Sequence, residues 1–188
     1  MKIVVTGVPG TGKSTLAKAL GKKLGWDVLG ANELVKKQKL WKGKERGALV
    51  VDMRKLEREM EKILKGKKNA ILEGHLLCEI KLKVDKAIAL RTNPKLLRRR
   101  LQARGYPERK VNENVMAEAL DYCTQRAEMG YRNVYEIDTG KSRGRSLSEA
   151  VSIILGKGEK FKSGRIGWGK ELEMEISRQG LVYGGKRK

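Results

Sequence analysis

The chain has 188 residues, and 43 lysines and arginines against 22 aspartates and glutamates give it a formal net charge of +21. With 39% hydrophobic residues it can bury a core, as one large domain or as a domain with an appendage, which excludes a coiled coil and a wholly disordered chain. No apolar run approaches the roughly 18 residues of a membrane span, and the N-terminus lacks a signal-peptide pattern, so we expect a cytoplasmic protein. The positive charge favours acidic partners.

The chain begins with the pattern of a strand, a glycine loop and a helix. The apolar run 2–6 stops at Gly7, and three leucines recur on one face of a helix over 15–24. The other predicted elements, in chain order, are a strand at 27–29, a helix at 32–40 capped by Asn32, a helix at 53–65 capped by Asp52, strands at 70–72 and 84–90, helices at 94–104 and 113–129, a strand at 134–137 and a helix at 147–155. Strands separated by helices predict an α/β fold, a doubly wound parallel sheet of about five strands.

Two further segments have a distinct composition. The stretch 42–47 is basic and glycine-spaced, and no regular structure is predicted for it. Cys78 and Cys123 lack the paired spacing of a metal site, so we expect both to be small, buried and reduced.

Residues 7–14, GVPGTGKS, fit the pattern G-x-x-x-x-G-K-S between the first strand and the first helix. Gly10 and Gly12 allow backbone N–H groups to form an anion-binding nest at the helix N-terminus. Lys13 then reaches the β- and γ-phosphates, and the Ser14 hydroxyl ligates Mg²⁺. The motif predicts binding of a nucleoside triphosphate.

A carboxylate and a histidine follow the strand predicted at 70–72. Glu73 ends this apolar run and is the second candidate ligand for the metal. His75, the only histidine of the chain, either orients a water near the γ-phosphate or serves as a structural hydrogen-bonding group.

Residues 91–110 contain eight lysines and arginines and one glutamate. Arg100 and Arg104 are four residues apart, so they share a helix face and could clamp a polyphosphate, with Gly105 as the hinge of a lid. The alternative is a solvated basic helix.

From residue 156 the chain is rich in glycine and lysine and carries a net charge of +5. Trp168, Leu172 and Ile176 recur every four residues, which predicts a short amphipathic helix, and the chain ends on the basic triplet 186–188. Either this tail docks on RNA or a protein partner with Trp168 as anchor, or its apolar stripe packs back on the core.

Taken together, these motifs resemble the adenylate kinase isoenzyme 6 family, small P-loop ATPases of small-ribosomal-subunit assembly, in its archaeal form. The resemblance covers about residues 1–155 and depends on GVPGTGKST at 7–15, NELVKKQKLW at 32–41, Val51-Asp52, the pair Glu73 and His75, and RLQARGYPERKVNEN at 100–114.

The resemblance implies a core over 1–155, with an acceptor segment at about 30–60 and a lid at about 100–114, followed by the appendage 156–188. It implies an ATP site of Gly10, Gly12, Lys13, Ser14, Thr15, Arg100 and Lys141, an acceptor site of Asn32, Lys36 and Asp52, and catalytic residues Lys13, Glu73, His75 and Arg104. Two positions depart from the family: Glu73 replaces the Asp usual in animal members, and Lys36 replaces an arginine. An ammonium cannot make the bidentate phosphate contact of an arginine. Lys36 therefore favours ATP hydrolysis over transfer to AMP as the expected reaction.

Three functions follow as hypotheses. The first is a Mg²⁺-dependent enzyme, a monomer that converts ATP and AMP to two ADP and also hydrolyses ATP, acting in rRNA processing and maturation of the small ribosomal subunit. The second is an assembly factor in which ATP gates contact with a small-subunit ribosomal protein and rRNA. The third is a kinase of an RNA end or of another nucleoside monophosphate. The sequence lacks the Asn-Lys-x-Asp guanine-binding motif of GTPases, and it is too short for a full hexameric AAA-type ATPase.

Overall fold

The computed structural model describes residues 1–45 and 47–180. Its strands are β1 (Lys2–Thr6), β2 (Asp27–Gly30), β3 (Trp41–Glu45), β4 (Ala48–Val51), β5 (Ala70–Glu73), β6 (Lys86–Arg91) and β7 (Val134–Asp138). Its α-helices are α1 (Lys13–Leu24), α2 (Ala31–Gln38), α3 (Met53–Lys65), α4 (Pro94–Gln102), α5 (Glu108–Ala119), α6 (Tyr122–Gly130), α7 (Arg143–Ile154) and α8 (Gly169–Arg178). Two short 3₁₀ helices cover His75–Glu79 and Glu159–Phe161.

Five strands form one parallel sheet in the order β2-β5-β1-β6-β7, which confirms the predicted α/β fold. The central strand β1 pairs with β5 and β6, and its residues Ile3, Val4 and Val5 are fully buried. A strand buried on both faces has this continuous apolar pattern, because helices cover each side of a parallel sheet. The carboxyl ends of β1, β5, β6 and β7 therefore meet at one edge, where the glycine loop lies.

Helices cover both faces of the sheet. On one face, α1 and α7 bury Leu16, Leu20 and Ile153 against the strands. On the other face a larger cluster joins α2, α3, α4, α5 and α6, and it includes both cysteines. Cys78 and Cys123 are free and buried, as predicted.

The acceptor segment differs from the prediction at two places. Gly30, not Asn32, is the N-cap of α2, and Asn32 lies in the first turn of the helix. The basic stretch at 42–47 contributes to an antiparallel hairpin of β3 and β4, which was not predicted because its lysines and glycines lack the β-branched pattern of a strand. Asp52 does cap α3, since its side chain accepts a hydrogen bond from the Lys55 N–H.

The helix predicted at 113–129 is wrong, because two helices, α5 and α6, replace it. Asp121 between them has φ 56°, and its carboxylate bonds to the Arg91 guanidinium. A contact to a distant strand therefore overrides the local helical pattern. The last core helix begins at Arg143, capped by Ser142, and so starts earlier than predicted.

For the described part of the tail, the structure favours packing on the core over docking on a partner. Lys162 forms an isolated bridge with Tyr135, and the Trp168 indole donates to Glu118 Oε1 over 3.0 Å. The predicted helix is present as α8, but its most buried side chain is Glu175, not one of the apolar stripe. The basic triplet 186–188 lies outside the described residues. No helix among the described residues is long and apolar enough to cross a membrane.

Candidate active site

The glycine loop connects the end of β1 to the start of α1 in the way that the motif predicts. Gly7, Gly10 and Gly12 all have positive φ, and a Cβ added at Gly7 would come within 2.6 Å of the Leu90 carbonyl oxygen. Gly12 caps α1 without any side-chain acceptor for the first helical N–H groups. These donors have no partner within the helix, so they can bind phosphate oxygens.

Lys13, the first residue of α1, folds back over the loop. Its Nζ donates to the Val8 carbonyl oxygen over 2.9 Å. Burial lowers the pKa of Lys13, and the nearby Arg104 cation lowers it further, although carboxylate Glu73 opposes this. A bound polyphosphate would add negative charge beside this ammonium and so favour its protonated form.

Ser14 and Glu73 lie side by side, as predicted for a metal site. The Ser14 hydroxyl donates to Glu73 Oε1 over 3.1 Å, and Glu73 reaches it because β5 pairs directly with β1, Val5 opposite Glu73. A hydroxyl and one carboxylate suit Mg²⁺, which keeps most of its ligands as phosphate oxygens and waters. Within 1–45 and 47–180 there is no cluster of three or more metal-ligating His, Cys, Asp or Glu side chains.

His75, two residues after Glu73, is the first residue of the first 3₁₀ helix, and its side chain faces the same space as the Glu73 carboxylate. Burial, with a smaller contribution from Lys13, lowers the pKa of His75 to about 4, so its imidazole is neutral at pH 7. Its carbonyl oxygen accepts from the Cys78 thiol over 3.0 Å and from the Thr6 hydroxyl over 3.3 Å. The His75 backbone is therefore held by Thr6 of β1 and by Cys78.

A cavity of about 450 Å³ extends from the glycine loop along α1. Arg100, Arg104 and Lys141 all line it. The helix predicted at 94–104 ends at Gln102, so Arg104 reaches the cavity from the turn that follows and not from the helix face that it was expected to share with Arg100. The Arg100 guanidinium donates from Nη2 to the Thr139 carbonyl oxygen over 2.8 Å. The residues that line this cavity are Gly10, Thr11, Gly12, Thr15, Leu16, Ala19, Arg100, Arg104, Thr139, Lys141, Ser142, Arg143 and Ser146.

Thr139, just beyond β7, connects three parts of this cavity. Its hydroxyl lies 2.9 Å from the Thr11 carbonyl oxygen in the glycine loop, 2.7 Å from the Thr92 hydroxyl and 3.1 Å from the Arg91 carbonyl oxygen. Its backbone N–H donates to the same Arg91 carbonyl over 2.8 Å. The hydrogen bonds hold the glycine loop, the end of β6 and the loop after β7 in one arrangement.

A second cavity, of about 260 Å³, opens on the other side of the glycine loop. Lys13, Glu73 and His75 line it, and so does Asn32 from the acceptor segment. Arg104 lines both cavities, so one arginine stands at the junction between them. The complete lining is Pro9, Gly10, Gly12, Lys13, Ser14, Thr15, Asn32, Glu73, His75, Arg104 and Tyr106.

The other two residues predicted to bind the acceptor lie away from both cavities. Lys36 is exposed on α2, and Asp52 is buried as the cap of α3. The hydrogen bond from the Lys55 N–H lowers the pKa of Asp52, so its carboxylate acts in the cap. The structure brings together the other predicted site residues, namely Gly10, Gly12, Lys13, Ser14, Thr15, Asn32, Glu73, His75, Arg100, Arg104 and Lys141.

Not every arginine of the basic stretch 91–110 faces a cavity. Arg91 is buried, and its guanidinium bonds to Glu118, Glu136 and Asp121. Burial alone would lower the pKa of Arg91, but these three carboxylates raise it, so the cation is permanent. Arg98 is also buried and paired. These two arginines fix the fold, which the basic composition alone did not distinguish from phosphate binding.

The family resemblance implies that Asp138, Thr139 and the residues after them lie near the adenine, and Thr139 lines the larger cavity. Three lining residues further along were not named from the sequence. Ser142, Arg143 and Ser146 line the larger cavity from the start of α7, a helix that was predicted to begin later. The run Gly140-Lys141-Ser142 after a buried strand was the available signal, because small polar residues at that edge of a parallel sheet often line a ligand site.

Comparisons with solved structures agree with this architecture. Shikimate kinase from Bacteroides thetaiotaomicron superposes with a TM-score of 0.58 at 16% identity, covering 83% of this chain and 98% of that chain. Deoxyadenosine kinase from M. mycoides with bound dATP gives a TM-score of 0.54 at 18% identity, covering 82% and 100% of the two chains. At these identities the similarity shows the fold alone.

Sequence comparisons are more specific. Residues 3–121 match the family described as an AAA domain. A protein of Methanocaldococcus jannaschii named "Putative adenylate kinase" is 38% identical over 170 residues, covering 89% of this chain and 93% of its own length. A protein of Archaeoglobus fulgidus with the same name is 40% identical over 180 residues, covering 94% and 96%. The chain therefore belongs to the adenylate kinase-like P-loop family that these archaeal relatives share.

Proposed function

We propose that this protein transfers the γ-phosphoryl group of ATP to AMP and also to water. The observation that carries the proposal is the pair of cavities on either side of the glycine loop, with Arg104 lining both. A donor nucleotide in the larger cavity would direct its terminal phosphate toward the smaller one. The smaller cavity would hold the acceptor phosphate beside Lys13 and Asn32.

The residues of the chain would act by positioning and by neutralising charge. The N–H groups of the glycine loop and Lys13 hold the β- and γ-phosphates, and they are approached by Arg100 from α4 and by Arg104 from the turn after it. Ser14 and Glu73 would hold Mg²⁺, which neutralises phosphate charge when it is bound with ATP. The Lys13 ammonium has three donors, so its hydrogen bond to the Val8 carbonyl leaves two for phosphate oxygens.

His75 has a distinct role in this scheme. Its neutral imidazole lines the smaller cavity, so it can accept a hydrogen bond from an attacking water. AMP brings a phosphate nucleophile that needs no such acceptor. We therefore propose that His75 supports hydrolysis more than transfer to AMP, and His75→Ala tests this by the ratio of the two rates.

A kinase assay with ATP and AMP, run beside ATP alone, tests the main proposal. Lys13→Ala should abolish both reactions without lowering the melting temperature, because Lys13 serves charge and not packing. Lys18→Ala is the matched control, since Lys18 is an exposed lysine on the same helix. Wild-type rates in Lys13→Ala, or no ADP formed from AMP by the wild-type protein, would overturn the proposal.

A second function, contact with rRNA or a small-subunit ribosomal protein during assembly of that subunit, is favoured by one observation. Five exposed lysines lie on α2 and β3, and none forms an ion pair with a residue that the structure describes: Lys36, Lys37, Lys39, Lys42 and Lys44. Clustered unpaired cations bind polyanions with strong salt dependence. RNA binding measured with these lysines changed to glutamine tests it, and unchanged affinity would exclude this surface.

A further inference from the structure

The C-terminal helix α8 packs on α4, the helix that leads to the cavity arginines. Glu175 of α8 accepts from Arg98 Nη2 over 2.5 Å, and both side chains are almost fully buried. At the start of α4, Asn93 donates from Nδ2 to Glu171 over 2.8 Å while its Oδ1 caps the helix. The acidic side of α8 therefore holds α4 at two points.

Arg98 joins three elements at the base of the lid. Besides Glu175, its guanidinium donates from Nη1 to Glu108 over 2.7 Å and to Asn112 over 2.8 Å. Glu108 and Asn112 belong to α5, which begins inside the predicted lid segment at 100–114, whereas Arg98 belongs to α4, which leads into it. The two helices on either side of the turn at 103–107 are thus attached to one guanidinium, which pairs with Glu108 and Glu175.

The same helix presents its other side to the ATP cavity. Arg98 and Arg100 are two residues apart, and side chains at this spacing point to different sides of a helix. Arg98 contacts α8, whereas Arg100 and Arg104 line the larger cavity. The position of α4 therefore sets where these two cations stand relative to a bound polyphosphate.

A second connection leads from the start of α8 to the same cavity. Glu118 Oε1 accepts from the Trp168 indole over 3.0 Å and from the Thr92 N–H over 3.1 Å. Thr92 in turn bonds to Thr139, which fixes the glycine loop. The tail contacts the rear of the nucleotide site at both ends of α8.

We propose that α8 positions the lid cations for ATP, with Glu175 acting through Arg98 as the main positioning residue. The proposal rests on the proposed function only in taking the larger cavity as the ATP site. Glu175 touches no substrate and acts through the cations that α4 leads to. Arg100 lines only the larger cavity and Arg104 lines both, so the loss of Glu175 should weaken ATP binding more than AMP binding. A tail that only stabilised the fold would not separate the two nucleotides.

The test compares Glu175→Gln with Glu173→Gln, a matched control at an exposed position of the same helix. Binding of a non-hydrolysable ATP analogue with Mg²⁺ is measured by calorimetry on the full chain. For Glu175→Gln we expect the dissociation constant to rise about 5- to 20-fold, a typical coupling between linked sites. The KM for AMP should rise less than the dissociation constant for the ATP analogue, and the control variant should leave both unchanged.

Two further variants keep the test decisive. Combined with Arg104→Ala, the Glu175→Gln substitution should weaken ATP binding less than it does alone, because part of its effect passes through Arg104. If Glu175→Gln does not fold, Glu171→Ala removes only the acceptor of Asn93 and should give a smaller increase in the same direction. Lower melting temperature with unchanged ATP affinity would overturn the proposal.

The outcome is separable from that of the proposed function. A wild-type protein that binds the ATP analogue but forms no ADP from AMP would overturn the kinase proposal, while a weakened Glu175→Gln variant would still support positioning. Transfer to AMP by the wild-type protein with equal ATP affinity in both glutamine variants would do the reverse.

Discussion

The Thr139 hydroxyl gives the sharpest test of how the nucleotide cavity is held together. A hydroxyl provides one donor and two acceptor positions, so it can donate to the Thr11 carbonyl at 2.9 Å and accept from the Thr92 hydroxyl at 2.7 Å. The Arg91 carbonyl keeps the Thr139 N–H at 2.8 Å whatever the side chain. Replacing Thr139 by valine, which has nearly the same shape, therefore removes two hydrogen bonds.

Each lost bond costs about 0.5–1.5 kcal/mol, and two partly buried groups left unpaired bring the expected total to about 2–3 kcal/mol. For a chain of this size, each kcal/mol lowers the melting temperature by roughly 2–4 °C, so Thr139→Val should melt about 4–12 °C below the wild type. The freed glycine loop should also weaken binding of an ATP analogue by roughly fivefold, or about 1 kcal/mol.

Thr139→Ser is the matched control, because it keeps the hydroxyl and loses only a methyl group. Thermal melting by circular dichroism and calorimetric titration with the ATP analogue measure both effects. Equal melting temperatures and equal ATP affinities in the valine and serine variants would refute the role assigned to this hydroxyl.

Three other predictions concern charge and backbone conformation. Arg91→Met leaves buried carboxylates without a counter-ion and should cost about 3–5 kcal/mol of unfolding free energy; exposed Arg99→Met should be neutral in the same urea titration, and equal stability of the two would contradict this. Because burial holds the pKa of His75 at about 4, below its unfolded value, the unfolded state binds the extra proton between these values. Stability should therefore fall as the pH drops from about 6.5 to 4, on the order of 3 kcal/mol, and an equally steep fall in His75→Gln would disprove it. Lys39 has φ 52°, so Lys39→Gly should raise stability by about 1 kcal/mol, whereas Lys37→Gly within the helix should lower it by a similar amount. Thermal melts should show a higher melting temperature for Lys39→Gly and a lower one for Lys37→Gly, and changes of the same sign would contradict the prediction.

The parts of the site that depend on local patterns were predictable from the sequence. The glycine loop is a contiguous motif between a strand and a helix, so Lys13 and Ser14 could be assigned directly. Glu73 ended an apolar run that had to be a neighbouring buried strand. Arg100 and Arg104 were assigned from helical spacing, and the structure places both at the cavity, although Arg104 lies in the turn after α4.

The remaining parts depend on contacts between distant segments. Glu175 is buried because it pairs with Arg98, which lies 77 positions earlier in the chain. The apolar stripe of the tail therefore did not predict which side chain of α8 is buried. The break at Asp121 likewise depends on its bond to Arg91 on β6. The pairing of β3 with β4 was not predicted, because β3 is short and basic, β4 has only four residues, and neither strand is fully buried.

The strand order has a consequence for how the chain acquires its ligand site during synthesis. Among the strands of the sheet, β1 comes first in the chain and lies at the centre, and both of its neighbours, β5 and β6, come much later. Such non-local pairing folds slowly and exposes unpaired strand edges in the meantime. Two residues that complete the site come with β7 or directly after it. Glu136 pairs with Arg91, and Thr139 closes the cavity. A ligand stabilises only the states that bind it, so ATP can draw folding forward only after β7 has joined the sheet.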